Sequence, residues 1–134
     1  MKNTIFVDSG VISLYLSNHE ETLREIKSVK KSHAIILSSE LNYIELFNHL
    51  CREKGKINAQ VMMENLRQGV IIKFIPVTDK ISILAGELKC KHKFLSTVDA
   101  VIIAEALTRN IFIYTTETHF YDVENLKVKK IDFD

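Results

Sequence analysis

The sequence contains few of the residues that break or crosslink a chain. It has one proline and four glycines in 134 residues, and no glycine-rich or serine-rich stretch, so no linker is indicated. The two cysteines, Cys51 and Cys90, stand alone without a Cys-x-x-Cys pair, so neither a disulfide framework nor a structural zinc site is indicated. We expect one domain over residues 1–134, with reduced thiols, in the cytoplasm.

Long apolar runs and an excess of one charge are also absent. No stretch approaches the roughly 20 apolar residues that span a bilayer, and Met1-Lys2-Asn3 leads directly into the first predicted strand without a targeting segment. We therefore expect no membrane contact. The net charge of +1 does not by itself indicate nucleic acid. Lysines nevertheless cluster in three places, which are either solvated faces or a basic surface beside an acidic pocket: Lys27, Lys30 and Lys31; Lys89, Lys91 and Lys93; and Lys127, Lys129 and Lys130.

Short β-branched runs alternate with helical periodicities along the chain, which is typical of βαβ units. The pattern predicts strands at residues 4–7, 34–37, 70–75 and 111–114, with residues 128–131 as a fifth strand at the sheet edge. It predicts helices at residues 11–16 and 20–30, from Ser38 or Ser39 to residue 53, at 58–67, after Thr78, and from Ser96 or Thr97 to residue 107. We expect an α/β fold, with a mostly parallel sheet of four or five strands and helices on both faces.

Four acidic residues stand where strands end or helices begin: Asp8, Glu45, Asp99 and Glu117. In open α/β sheets the ligand crevice lies beyond the carboxyl ends of the strands, where Asp8 and Glu117 are placed. Four carboxylates that converge without a cation would repel one another. The acids therefore suggest a site for Mg²⁺ or Mn²⁺, which favour oxygen ligands.

Each acid also has a structural explanation that involves no ligand. These are an N-cap for Asp8, a capping box with Ser96 for Asp99, the start of a short turn helix for Glu117, and a pair with His49 for Glu45. Other chemistries find less support. The five histidines show no His-Glu-x-x-His pattern and are interpreted as surface or core residues, and no glycine-rich phosphate loop is present. Aspartyl phosphatases typically open with Asp-x-Asp, whereas here Gly10 stands two residues after Asp8.

Taken in order and spacing, four motifs resemble those of PIN-domain nucleases, and most closely the VapC-like toxins of toxin-antitoxin pairs. The motifs are Ile5-Phe6-Val7-Asp8-Ser9, Ser38 to Leu46 with Glu45, Leu95 to Ala104 with Asp99, and Tyr114-Thr115-Thr116-Glu117-Thr118-His119-Phe120. The resemblance covers nearly the whole chain. It implies a PIN-like three-layer fold and a metal-dependent endoribonuclease.

The resemblance also implies roles for individual residues. Asp8, Glu45, Asp99 and Glu117 would form the acidic pocket, with Asp8 and Asp99 as direct ligands of Mg²⁺ or Mn²⁺. Ser9 and Thr115 match hydroxyl positions that orient the carboxylates or bound waters. The chain departs from the family at Glu117, where the family usually has aspartate, so the longer arm reaches differently.

The resemblance further implies RNA hydrolysis that leaves a 5'-phosphate and a 3'-hydroxyl, a homodimer, and a small antitoxin bound in a groove near helix 58–67. On that helix Val61, Met62, Met63 and Leu66 are apolar, with ordinary core packing as the other explanation. The basic turn Lys89 to Lys93 is expected to contact RNA phosphates. The alternative is an inactive PIN-like module that binds RNA or protein: Glu117 favours this alternative, and the presence of all four acids argues against it.

Overall fold

The computed structural model of the chain describes residues 4–69 and 71–132 and contains a five-stranded sheet. The strands are β1 (Ile5–Val7), β2 (Ile36–Ser39), β3 (Ile72–Ile75), β4 (Phe112–Thr115) and β5 (Val128–Lys130). Their order is β3-β2-β1-β4-β5, and each neighbouring pair is parallel. The predicted fifth strand at the sheet edge is therefore confirmed.

Six α-helices connect or flank the strands: α1 (Ser9–Leu16), α2 (Glu20–Lys31), α3 (Glu40–Lys54), α4 (Lys56–Gln68), α5 (Asp79–Lys91) and α6 (Thr97–Arg109). A short 3₁₀ turn follows at His119–Asp122. The largest difference from the predicted bounds is at β2, which begins two residues later and includes both serines, because Ser38 and Ser39 pair with β3. Val70, predicted to begin β3, and Met1-Lys2-Asn3 lie outside the described residues.

Two apolar cores lie on opposite faces of the sheet. Along β1, Phe6 packs with α5 and α6 on one face, whereas Ile5 and Val7 pack with α1 to α4 on the other. This alternation follows from the two-residue period of a strand. The result is the three-layer α/β architecture that the sequence predicts. None of the helices within the described ranges is long and apolar enough to cross a membrane.

Polar residues gather at the carboxyl edge of the sheet because helices begin there. Asp8 caps α1 directly after β1, and Ser39 ends β2 and caps α3. Ser96 caps α6, which leads back to the start of β4 and therefore begins at this same edge. Because parallel strands all end on one side, the fold brings these helix starts together.

Gly10, in the first turn of α1, lies directly against Thr116 after β4. A Cβ atom at this position would overlap Thr116 Oγ1. We expect Gly10→Ala to lower the free energy of unfolding by about 1–3 kcal/mol, as is usual for an added methyl group in a tightly packed contact. Urea unfolding measures the change.

Gly86→Ala is the matched control, since Gly86 lies inside α5 and its Cβ would meet no atom within 4 Å. Alanine is the better helix former, so this variant should gain about 0.5–1 kcal/mol. Equal effects of the two substitutions would contradict the close contact between α1 and Thr116.

Candidate acidic site at the carboxyl edge of the sheet

Asp8 is the most constrained of the four candidate acids. Its side chain is only 5% exposed. One carboxylate oxygen accepts the N–H of Val11 at 2.9 Å, and the other accepts a short hydrogen bond from the Thr115 hydroxyl. The predicted N-cap is confirmed. A capping role explains the first of these bonds, whereas the second links α1 to the end of β4.

The surroundings of Asp8 favour its neutral form. Burial raises the pKa of the Asp8 carboxyl from 3.8 to about 6, and the nearby charge of Glu117 also raises it. The hydrogen bonds from Thr115 and Val11 lower the pKa but do not outweigh the burial. A cation placed next to Asp8 would therefore stabilise its charged form.

Thr115 connects Asp8 to the turn that carries Glu117. The Thr115 hydroxyl donates to Asp8 and accepts the N–H of Glu117 at 2.9 Å. This fixes the backbone just after β4. The side chain of Glu117 remains 57% exposed, and its charge still raises the pKa of Asp8.

Asp99 is linked to Glu117 through His119. Ser96 accepts the N–H of Asp99 at 3.1 Å, as in the predicted cap, but the Asp99 carboxylate lies 2.9 Å from His119 Nε2. The other ring nitrogen of His119 is 3.7 Å from the Glu117 carboxylate. The sequence assigns His119 no part in the site, whereas the structure places it in contact with two of the candidate acids. Its position two residues after Glu117 is the signal that could have revealed it.

Glu45 reaches the site through a different set of contacts. Ser9 donates to the Glu45 carboxylate at 2.7 Å and accepts from the Asn42 amide at 2.9 Å. Asn42 is fully buried and also accepts the N–H of Ser39 at 3.1 Å. The pair considered between Glu45 and His49 is not what the structure contains, because His49 pairs with Glu53. Asn42 was missed at the sequence level, although its spacing from Ser39 is that of a capping box.

The structure thus links three of the four acids to one another and holds Glu45 through a separate contact. Asp8 is near Glu117, Asp99 reaches Glu117 through His119, and Glu45 is held by Ser9. Among residues 4–69 and 71–132, no three acidic, histidine or cysteine side chains form a ready-made metal cage. The donor chemistry fits Mg²⁺ nonetheless, because this ion takes one or two carboxylates and keeps several of its waters.

The lysine cluster Lys89, Lys91 and Lys93 lies beside the start of α6. The expectation of a basic turn is wrong in part, because Lys89 and Lys91 belong to the last turn of α5 and Lys93 follows the helix. Lys89 donates to the Thr97 hydroxyl at 2.9 Å, and Thr97 stands two residues before Asp99. Lys91, the last residue of α5, and Lys93 are also exposed. A basic surface next to the acidic site, which the sequence left open, is therefore present for this one of the three lysine clusters.

Comparison with known proteins identifies the family. The family model described as PIN domain matches residues 5–126, so the chain belongs to the PIN domain family. No curated protein matches it significantly.

Solved structures share the fold at low sequence identity. VapBC2 from Rickettsia felis, bound to a DNA fragment from its promoter, is 17% identical with a TM-score of 0.82, over 96% of this chain and 99% of that one. DNA-bound VapBC from Salmonella typhimurium is 16% identical with a TM-score of 0.77, over 97% and 98%. VapC20 from Mycobacterium tuberculosis, described as a Sarcin-Ricin loop cleaving toxin, is 21% identical with a TM-score of 0.73, over 93% and 98%. The expected PIN-like fold and the likeness to VapC toxins are confirmed.

Replacing Asp8 with Asn should stabilise the fold at neutral pH and have little effect near pH 4. Between pH 4 and about 6 the folded state keeps a proton on Asp8 that the unfolded chain has lost, so the stability of the wild type falls as the pH rises through this window. The shift from 3.8 to about 6 corresponds to roughly 3 kcal/mol. Asp8→Asn keeps the capping oxygen. We therefore expect its free energy of unfolding at pH 7 to exceed that of the wild type by up to this amount.

Urea unfolding of both proteins at pH 4, 5, 6 and 7, without divalent metal, measures this difference. Asp79→Asn, which removes an exposed acid from the first turn of α5, provides the baseline. A difference between wild type and Asp8→Asn that stays constant with pH would contradict the raised pKa.

Proposed function

We propose that the chain is a metal-dependent endoribonuclease that hydrolyses RNA phosphodiesters and acts as the toxin of a type II toxin-antitoxin pair. The observation that carries this proposal is the buried Asp8 carboxylate, held by Thr115 beside a second acid in a PIN domain. A cation is the partner that such a pair of carboxylates lacks. The cleavage of the Sarcin-Ricin loop by VapC20, which shares this fold, supports RNA as the substrate.

Asp8 and Asp99 are the proposed direct ligands of Mg²⁺ or Mn²⁺, and Glu45 and Glu117 complete the acidic pocket. The bound ion would neutralise the phosphate and lower the pKa of a coordinated water. The exposed carboxylate of Glu117 can orient that water or take its proton. In-line attack would then leave a 5'-phosphate and a 3'-hydroxyl.

Three neighbouring side chains hold the acids in position. Thr115 fixes the carboxylate plane of Asp8, and Ser9 does the same for Glu45. His119 contacts the carboxylate of Asp99, whose backbone N–H donates to Ser96. Each of these contacts orients an acid before any substrate arrives, which is what preorganisation of a metal site requires.

Purified protein should cleave single-stranded RNA with Mg²⁺ or Mn²⁺, and EDTA should stop the cleavage. We expect Asp8→Asn and Asp99→Asn each to lower the rate by at least about 100-fold, because the loss of a ligand charge removes several kcal/mol of transition-state stabilisation. Glu64→Gln, an exposed acid on α4, should cleave at the wild-type rate. Gel analysis of end-labelled RNA measures the rates and identifies the new ends.

The alternative is a PIN-like module that binds RNA or protein without turnover. Binding of RNA by the folded wild type, with no cleavage in either metal, would favour this alternative over the nuclease. Glu117→Asp would then be the variant to examine first, since it restores the residue that the family usually has at this position.

A small antitoxin is the proposed partner, bound along the helix face that contains α4. The structural neighbours include VapBC assemblies and a toxin-antitoxin complex from Klebsiella pneumoniae. In this chain an apolar groove runs beside α1 and α4, lined mainly by Tyr15, Leu16, Met62, Leu66 and Ile71. Ile57 and Val61, also on α4, are 75% and 53% exposed. Such a surface fits the apolar side chains of an antitoxin segment.

Met62→Lys should release the antitoxin, because it puts a charge into the groove. We expect the wild type to co-purify with the product of the neighbouring reading frame, and the variant to lose it while keeping RNA cleavage. Ile83→Lys, at an exposed position of α5 on the opposite face of the sheet, is the control. Retention of the partner by Met62→Lys would exclude this groove. The expected homodimer stays a prediction, which light scattering of the same samples tests.

A further inference from the structure

Phe94 is an exposed aromatic residue that belongs to neither of the two apolar cores. It lies in the turn between α5 and α6, directly after the basic cluster Lys89, Lys91 and Lys93. Half of its surface is exposed (50%), whereas its neighbour Leu95 is 4% exposed and anchors the turn in the core. A single exposed apolar side chain is common on protein surfaces, so the neighbours of Phe94, and not its exposure alone, indicate a role.

The Phe94 ring also lies next to the candidate catalytic acids. Its centroid is 6.1 Å from that of His119, with the rings nearly perpendicular at 82°. His119 in turn contacts the Asp99 carboxylate at 2.9 Å. A second ring, that of His92, lies 5.6 Å from Phe94 on centroids. The His119 side chain therefore lies between the exposed ring of Phe94 and the carboxylate of Asp99.

The charges around Phe94 indicate the kind of partner. Lys89 and Lys91 are exposed in the last turn of α5, and Lys93 is exposed directly before Phe94. Lys89 donates to Thr97 at the start of α6. Lysines beside an exposed aromatic ring are the combination by which proteins bind single-stranded nucleic acid, with the charges on the backbone and the ring on a base. Binding of an apolar protein surface here would instead remove water from the lysine charges, which is unfavourable.

We propose that Phe94 stacks on an unpaired base of the RNA substrate and thereby sets which phosphodiester lies at the acidic site. The proposal rests on the proposed ribonuclease function and adds a specific substrate contact to it. It makes Phe94 a determinant of single-stranded RNA binding, with the flanking lysines on the phosphates. Duplex RNA offers no free base face to this ring and should gain nothing from it.

Binding of a labelled single-stranded oligoribonucleotide of mixed sequence, in EDTA so that none is cut, tests the contact. Since a base stacked on an aromatic ring contributes about 1–3 kcal/mol, we expect Phe94→Ala to raise the Kd roughly 5- to 150-fold. Phe94→Leu, which keeps an apolar side chain but has no ring, should bind the RNA as weakly as Phe94→Ala. Phe94→Trp should bind at least as tightly as the wild type.

Phe112→Ala is the matched control, because Phe112 is also an exposed phenylalanine (45%) but begins β4, at the opposite edge of the sheet from Asp8. It should leave the Kd unchanged. Urea midpoints of all variants verify that they are folded. In addition, one abasic nucleotide in the strand should weaken RNA binding by the wild type and leave RNA binding by Phe94→Ala unchanged.

The outcomes separate the contact from the function. Equal RNA binding by wild type, Phe94→Ala and Phe94→Leu would overturn the role of Phe94 while leaving the nuclease intact. A wild type that neither binds nor cleaves RNA would overturn both. Loss of antitoxin capture by Phe94→Ala, with RNA binding unchanged, would assign the ring to a protein interface and reject the stacking role.

Discussion

The hydrogen bond from Thr115 to Asp8 is the contact on which the rest of the site depends. It joins the end of β4 to the junction of β1 and α1, and the same hydroxyl accepts the N–H of Glu117. Asp8 also caps α1 through Val11. The two buried side chains therefore cap a helix, join two strand ends and hold the backbone of a second acid, so that the fold and the candidate acidic site share the same atoms.

The burial of Asp8 lowers the stability of the fold at neutral pH, and the proposed binding of a cation is the function that would require it. Hydrogen bonds to a charged group are worth about 1.5–3 kcal/mol each, and Asp8 accepts one from Val11 and one from Thr115. Its pKa is nevertheless raised to about 6, mainly by burial and further by the charge of Glu117. The loss of hydration on burial therefore raises the pKa of Asp8 by more than these two hydrogen bonds lower it. An uncharged residue would cap α1 equally well, so capping alone does not explain an acid here, whereas the proposed cation would.

The sequence predicted those features that depend on local chemistry. Alternating strands and helices, the caps Asp8 and Ser96, and an edge position for residues 128–131 all follow from periodicity and turn residues. The roles of Asn42 and His119 did not follow, because each depends on contacts made in the folded chain, with Ser9 and Asp99 respectively. Propensity likewise could not show that Ser38 and Ser39 belong to β2, since only pairing with β3 makes them a strand.

His119 gives a physical account of why glutamate can stand at position 117. The imidazole lies 2.9 Å from Asp99 and 3.7 Å from Glu117, so one ring bridges the two carboxylates. The Glu117 backbone is fixed by Thr115, which leaves only its side chain free to extend toward the ring and Asp8. A shorter aspartate on that fixed backbone would reach less far toward His119. The longer arm brings the Glu117 carboxylate within 3.7 Å of the histidine, so the proposed acidic site does not require aspartate at position 117.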